Sequence, residues 1–381
     1  MTLDPQQLKQ EAMALTGLSQ FGDAPMDEGL ERLCWSLNHE AKVEGKHEQA
    51  AKGQLMGCLK ERLKVEACLA ANPRILSEQV VRPLFVISMP RTGSTATSQF
   101  LSEDPNARSI RRWECQNTTP PPDAAIGEAD PRFARMQAEY EELYRQQPDR
   151  RGMLPIDAGD PSEHGPILGL TFQNLQTPSL FHTPAWTQWT IESDLVASYA
   201  YFKQVLQLLQ WKTPAPHWNL KNPPDIFGLD ALLKVFPDAR LLWVHRDPVK
   251  SIPSVSSLTS MIRVSMGEPL DRLTVGPAQV AFQSQGARLA MAVEKTLPPG
   301  RVVHVFQRDL VRDTVGAIEA AYARLDLPFT DAYRAHLTRR VAVREKPSHA
   351  YTLEEYGLTA PMIRSAFSEY LDRYGVPLEN V

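Results

Sequence analysis

The sequence predicts an α/β protein built on a parallel sheet flanked by helices, and three observations predict it. Short apolar runs, "PLFVISM", "ARLLWVHRD" and "RVVHVFQRDL", are separated by segments of helical periodicity. The apolar cores of these runs do not alternate with polar residues, as expected for parallel strands covered on both faces. Two runs lead into polar, chemistry-bearing turns, "PRTGST" and "HRDP". In doubly wound sheets ligands bind beyond the carboxyl ends of the strands, where both turns lie.

The elements follow in order. Residues 1–80 read as an N-terminal helical lobe. In "DEGLERLCWSLNHEAKVEG", Leu30, Leu33, Leu37 and Ala41 fall on one stripe, and Gly45 suits a helix C-terminal cap. "QLMGCLKERLKVEACLAANP" repeats the stripe through Leu55, Leu59 and Leu63 and stops before Pro73. Residues 81–381 are expected to form the α/β domain. Within it, 115–220 is rich in proline and aromatics, with one clear helix around "LVASYAYFKQVLQLLQW"; it reads as a helical and loop insertion, a lid over the sheet edge. Ile226, Leu229, Leu232 and Phe236 share a face of the next helix, and "VGAIEAAYARL" supplies another.

Composition narrows the function classes. A hydrophobic content of 43% with 23% charged residues belongs to a globular chain. The net charge of −4 argues against a nucleic-acid binder, which needs a basic surface. Cys34, Cys58, Cys68 and Cys115 form no C-x-x-C and no metal-ligand spacing, so reduced thiols and no metal are expected. No basic-then-apolar leader opens the sequence, and no apolar run reaches the ~18 residues of a membrane span. A cytoplasmic location is the expectation; oligomeric state is not legible.

"PRTGST" places Arg91, Thr92, Gly93, Ser94 and Thr95 where a strand turns into a helix. Such a turn aims backbone N–H groups and the helix dipole at one point, which suits a phosphate. Gly93 permits close approach, the hydroxyls donate, and Arg91 offers a fork. An ordinary Pro-Gly turn is the competing reading. A Walker-type P-loop would carry lysine after the second glycine, but Ser94 stands there. In "HRDPVKSIPSVSSL", Asp247 suits an N-cap and Pro248 the first helical position. Pro253 is expected to bend or restart the helix, presenting Ser254 beside Arg246 for a second phosphate; a purely structural cap is the alternative. Lys221 follows the apparent strand "HWNL".

Taken together these residues resemble the sulfotransferases that use 3′-phosphoadenosine 5′-phosphosulfate (PAPS), in a bacterial branch with an N-terminal helical extension. "PRTGST" is similar to their 5′-phosphosulfate loop, and "RDPVKSIPS" to their 3′-phosphate motif. "LSEDPNARSIRRWE", "LKNPPDIFGLDALLKVFPDARLLWVHRDP" and "HAYTLEEYGLT" extend the likeness over nearly the whole chain. The resemblance implies a P-loop-type fold and metal-free transfer of a sulfuryl group to a hydroxyl of a small acceptor. It places Arg91 at the 5′-phosphosulfate, Lys221 at the bridging oxygen, and Arg246 with Ser254 on the 3′-phosphate. Glu114 matches a glutamate that acts as general base, with pairing to Arg111 or Arg112 as the structural alternative. His164 is the second candidate, since imidazole titrates near neutrality, or it shapes the acceptor pocket with Glu163. Arg344 and Lys346, in "VAVREKPSHAY", are expected to clasp the 3′-phosphate, although Pro347 stiffens a loop that relatives keep glycine-rich. Ala96 stands where some sulfotransferases stack adenine on an aromatic.

Phe172, Phe181, Trp186 and Trp189 either line an apolar acceptor pocket or belong to ordinary core. An inactive nucleotide-binding module and a P-loop kinase are the rival functions.

Overall fold

Strands that are apolar on both sides should bury both faces, and they do. In β1 (Leu84–Ile87), Leu84 and Val86 point into one core, while Phe85 and Ile87 point into another. The computed structural model describes residues 2–146, 156–342 and 351–380. Its sheet contains β1, β2 (Ala107–Arg108), β3 (His217–Lys221), β4 (Arg240–His245) and β5 (Val302–Phe306) in the order β2-β3-β1-β4-β5, all pairs parallel. The α/β fold and its parallel sheet are as predicted. The two-residue strand β2 has no pattern of its own, and the sequence reading missed it.

The register positions the site. Val86 pairs with Lys221, and Ile87 with Trp243, so β3 and β1 end within a residue of each other and β4 runs two residues further, to His245. Because β1 lies between β3 and β4, the chain leaves it to one side and returns on the other. That reversal opens a crevice above the strand ends.

On one face of the sheet, Leu242, Val244 and Val303 pack with Phe100, Ile318 and Tyr322. On the other, Leu241 and Trp243 join Phe202, Leu206 and Ile226. Three helices, Pro5–Thr16, Asp27–His39 and Gly45–Ala71, open the chain and share a core with Phe172, Phe181 and Trp186. These aromatics are therefore core side chains; Phe172 and Phe181 also edge a small apolar crevice with Leu33, Leu37 and Leu55. Arg62, fully buried, ties the region together by donating to Phe21 O at 2.6 Å, Ala24 O at 2.5 Å and Leu170 O at 2.9 Å. Its guanidinium also lies 4.6 Å from the Tyr201 ring.

Two local expectations fail. Gly45 is no C-cap: the second helix ends at His39, and Gly45, at φ 56°, begins the third. Pro253 does not restart its helix, which runs unbroken from Pro248 to Met266. The proline removes one N–H bond near the helix start, and burial of Ile252, Pro253 and Val255 outweighs that loss. Among the described residues, no helix is long and apolar enough to cross a membrane.

Candidate active site

The segment from Ser88 to Gly93 leaves β1 and turns into the helix Ser94–Leu101. Two left-handed residues make the turn, Arg91 at φ 65° and Gly93 at φ 95°. A Cβ on Gly93 would meet Gln307 Cγ at 3.1 Å, so both conformation and space call for glycine. Arg91 carries a side chain in the same region, a strain that gathers at binding loops. Thr92 Oγ1 donates to Met89 O at 2.9 Å, so this buried hydroxyl closes the loop from within rather than facing the crevice. Ser88 Oγ is buried with no hydrogen-bond partner among the described residues. Ser94 is buried at the helix start, and Thr95 is exposed beside it.

Three strand ends deliver cations to this loop. From β3, Lys221 Nζ donates to Thr95 Oγ1 at 3.3 Å and to Glu163 Oε1 at 2.5 Å. From the β1 loop, Arg91 Nε donates to Ser254 Oγ at 2.9 Å. From β4, Arg246 Nη1 donates to Arg91 O at 3.2 Å, while Nε and Nη2 reach Glu379 at 3.0 and 3.3 Å. Asp247 caps the helix through Val249 N at 3.0 Å and also accepts from Glu379 N at 2.8 Å. Arg364 Nη2 holds the Glu379 carbonyl at 3.2 Å. Burial lowers the pKa of Arg91 from its usual value, Tyr351 opposes that, and Arg246 lowers it further. Two guanidinium groups thus share one crevice with a hydroxyl and a single carboxylate between them, an arrangement that favours an anion.

The two residues expected to accept a proton are both buried. Glu114 takes Arg108 Nη2 at 2.6 Å on one oxygen and Arg111 N at 2.9 Å on the other. The partner is Arg108, not the Arg111 or Arg112 side chain, and the ion pair is closed, with side chains 5% and 8% exposed. Arg108 also stacks 4.4 Å from the Trp218 ring. His164 is wholly buried, stacked on Phe202 at 4.5 Å and facing Asp225 at 3.1 Å. The Glu114 carboxylate is held at the turn after β2 through both oxygens. The His164 ring sits inside the core.

The profile of the sulfotransferase family matches residues 83–331, from the residue before β1 past the end of β5. The chain belongs to the sulfotransferase family.

Two solved relatives agree in fold over nearly their whole length. The sulfotransferase STF9 of Mycobacterium avium superposes with a TM-score of 0.90 at 30% identity, covering 100% of this chain and 99% of that one. STF1 of Mycobacterium tuberculosis H37Rv gives 0.88 at 25% identity, covering 97% and 99%. The omega-hydroxy-beta-dihydromenaquinone-9 sulfotransferase Stf3 of Mycobacterium bovis is 28% identical over 163 residues. That match takes in 41% of this chain and spans only 40% of the relative's length.

In this sulfotransferase the structure links Arg91, Arg246 and Ser254 by hydrogen bonds, and Thr95 with Lys221 by another. Arg344 and Lys346 lie outside the described residues. Sequence reasoning passed over Glu379 and gave Glu163 no chemical role. Glu163 had a signal, since it adjoins His164 in a Pro- and Gly-bounded turn. Glu379 had none, because only the folded C-terminal helices bring it to Arg246.

Proposed function

We propose that this sulfotransferase moves the sulfuryl group of PAPS to a hydroxyl of a small, moderately hydrophobic acceptor. The observation that carries the reading is the convergence of Arg91, Arg246 and Ser254 from the ends of β1 and β4, with Lys221 on the loop from β3. A ligand with phosphates at both ends of a ribose fits a crevice with cations at two points. Fit is also supported by the unpartnered Ser88 hydroxyl and by the space that glycine leaves at position 93.

The donor brings a sulfuryl group bonded to its 5′-phosphate. Loop N–H groups, Ser94, Thr95 and Arg91 bind that phosphate in this reading, and Arg246 with Ser254 binds the 3′-phosphate. Lys221 neutralises charge that develops on the leaving oxygen, an interaction stronger in the transition state than before it. Arg344 and Lys346 are proposed as a second clasp on the 3′-phosphate. The name of the Stf3 relative specifies a hydroxyl on a lipid-soluble molecule, which supports an alcohol acceptor of that general character. A kinase would need a lysine after Gly93, and membership of the sulfotransferase family sets that rival aside.

Calorimetric titration with 3′-phosphoadenosine 5′-phosphate (PAP) in EDTA tests the donor site. The bisphosphate is expected to bind tightly while AMP and ATP bind weakly. Equal binding of AMP, or binding only of ATP with added Mg²⁺, would remove the 3′-phosphate site and the reading with it.

A further inference from the structure

Lys221 stands between two oxygens of different kinds. Thr95 Oγ1, on one side, belongs to the loop that holds the leaving phosphate in the proposed reading. On the other side lies the Glu163 carboxylate. The order Thr95, Lys221, Glu163 puts one ammonium group between this carboxylate and the loop hydroxyl.

A chain of hydrogen bonds fixes it there. Gln176 Nε2 donates both to the second Glu163 oxygen and, at 3.2 Å, to Asn222 Oδ1. Asn222 Nδ2 donates to Asp225 Oδ1 at 2.9 Å, and the same oxygen takes Tyr199 OH at 2.9 Å. Asp225 is fully buried and faces His164. Glu163 is thus anchored to the core through side chains, yet 34% of its own side chain stays exposed. Glu114 is closed on both oxygens by groups that the fold needs. The partner of Glu163 is instead Lys221, a cation that a sulfuryl donor would draw to itself in that reading.

We propose that Glu163 is the group that takes the acceptor's proton. The inference rests on the sulfotransfer reading and names its base. The acceptor oxygen forms a bond to sulfur, and the bond from sulfur to the 5′-phosphate oxygen breaks, its electron pair going to the phosphate. The acceptor proton passes to a Glu163 oxygen. Lys221, drawn onto the leaving oxygen, releases Glu163 Oε1 as that proton needs a place.

The surroundings suit this task. Burial raises the pKa of Glu163, but Lys221, Arg112 and His164 together hold it below the usual carboxylate range. The Cys115 thiol, packed on the Glu163 backbone carbonyl, is pushed up to about 12 by burial and stays neutral. The carboxylate is therefore ionised at neutral pH, and it becomes more basic once Lys221 turns to the donor.

The test compares wild type with Glu163→Gln, by PAP titration and by PAPS turnover with water, phenol and 4-nitrophenol as acceptors. Glu163→Gln is expected to bind PAP normally. Its turnover should fall by about 10²-fold or more with water and phenol, and the acidic limb of the pH profile should vanish. With 4-nitrophenol, already largely ionised at mildly alkaline pH, the loss should be much smaller. Full-rate turnover in the variant would overturn the assignment. So would an equal loss with phenol and 4-nitrophenol, which would mean that Glu163 only places Lys221. A wild-type chain that binds no PAP defeats the donor reading itself. One that binds PAP yet turns over no PAPS defeats catalysis and the base together.

Discussion

Arg91 and Arg246 come to the crevice from different strands, and what each touches decides its weight. Arg246 is fastened on two edges, by the Arg91 carbonyl and by Glu379. Among the described residues, the Arg91 guanidinium donates to the neutral hydroxyl of Ser254. Arg246→Ala should weaken PAP binding by about 2 kcal/mol and Ser254→Ala by about 1, because charged hydrogen bonds exceed neutral ones. Calorimetry reads both, and AMP affinity should stay unchanged. Glu114→Ala makes a different prediction. Arg108 would be left buried without its carboxylate, so unfolding in urea should show a loss of about 3 kcal/mol. Arg91, Lys221, Arg246 and Ser254 were legible because each lies at a strand end or beside a helix cap with a recognisable spacing. The ion-pair partner of Glu114 was not legible, because the spacing of Glu114 from Arg91 is a one-dimensional signal, while Arg108 precedes it on an unforeseen strand.

Among the elements, the loop leading into Ser94–Leu101 and the helix Pro248–Met266 do the positioning, and both were readable from glycine, proline and aspartate at turn positions. The short strand β2 was not. Two residues carry no period, and only pairing with His217 and Trp218 makes them a strand. The helix Arg272–Glu294 supplies an element-scale prediction at its end. Glu294 meets His304 of β5 at 2.8 Å and Arg373 at 3.1 Å, and it accepts from Tyr374 OH. Burial raises its pKa, but these partners win and bring it from 4.5 to about 2. A carboxylate lowered by folding stabilises the fold fully above its unfolded value and loses that contribution as the pH falls towards its folded one. Stability should therefore drain between pH 4.5 and about 2, and Glu294→Gln should flatten that part of the curve in urea titrations at a series of pH values.

At the scale of the whole molecule, the opening helices and the segment around Phe172–Trp186 share one core, and Arg62 is the polar tie inside it. Arg62→Leu would strip partners from the carbonyls of Phe21, Ala24 and Leu170 in a closed interior. We expect a loss of at least about 3 kcal/mol in chemical unfolding. If the variant unfolds like wild type, those carbonyls have water or other partners, and the tie is unimportant. The sequence had assigned helices and aromatics to these stretches correctly as types, but not their contact, because periodicity reports a buried face and not what covers it.

The sequence alone determined the α/β class, the strand-end turns and the cations they carry, since these follow from local rules: apolar runs, left-handed glycine, helix caps. Only the tertiary structure decided which carboxylate meets which cation. Glu163 reaches Lys221 and Glu379 reaches Arg246 across 58 and 133 residues of chain. Ion pairing at such separations depends on strand order and register, and neither leaves a mark on the residues themselves.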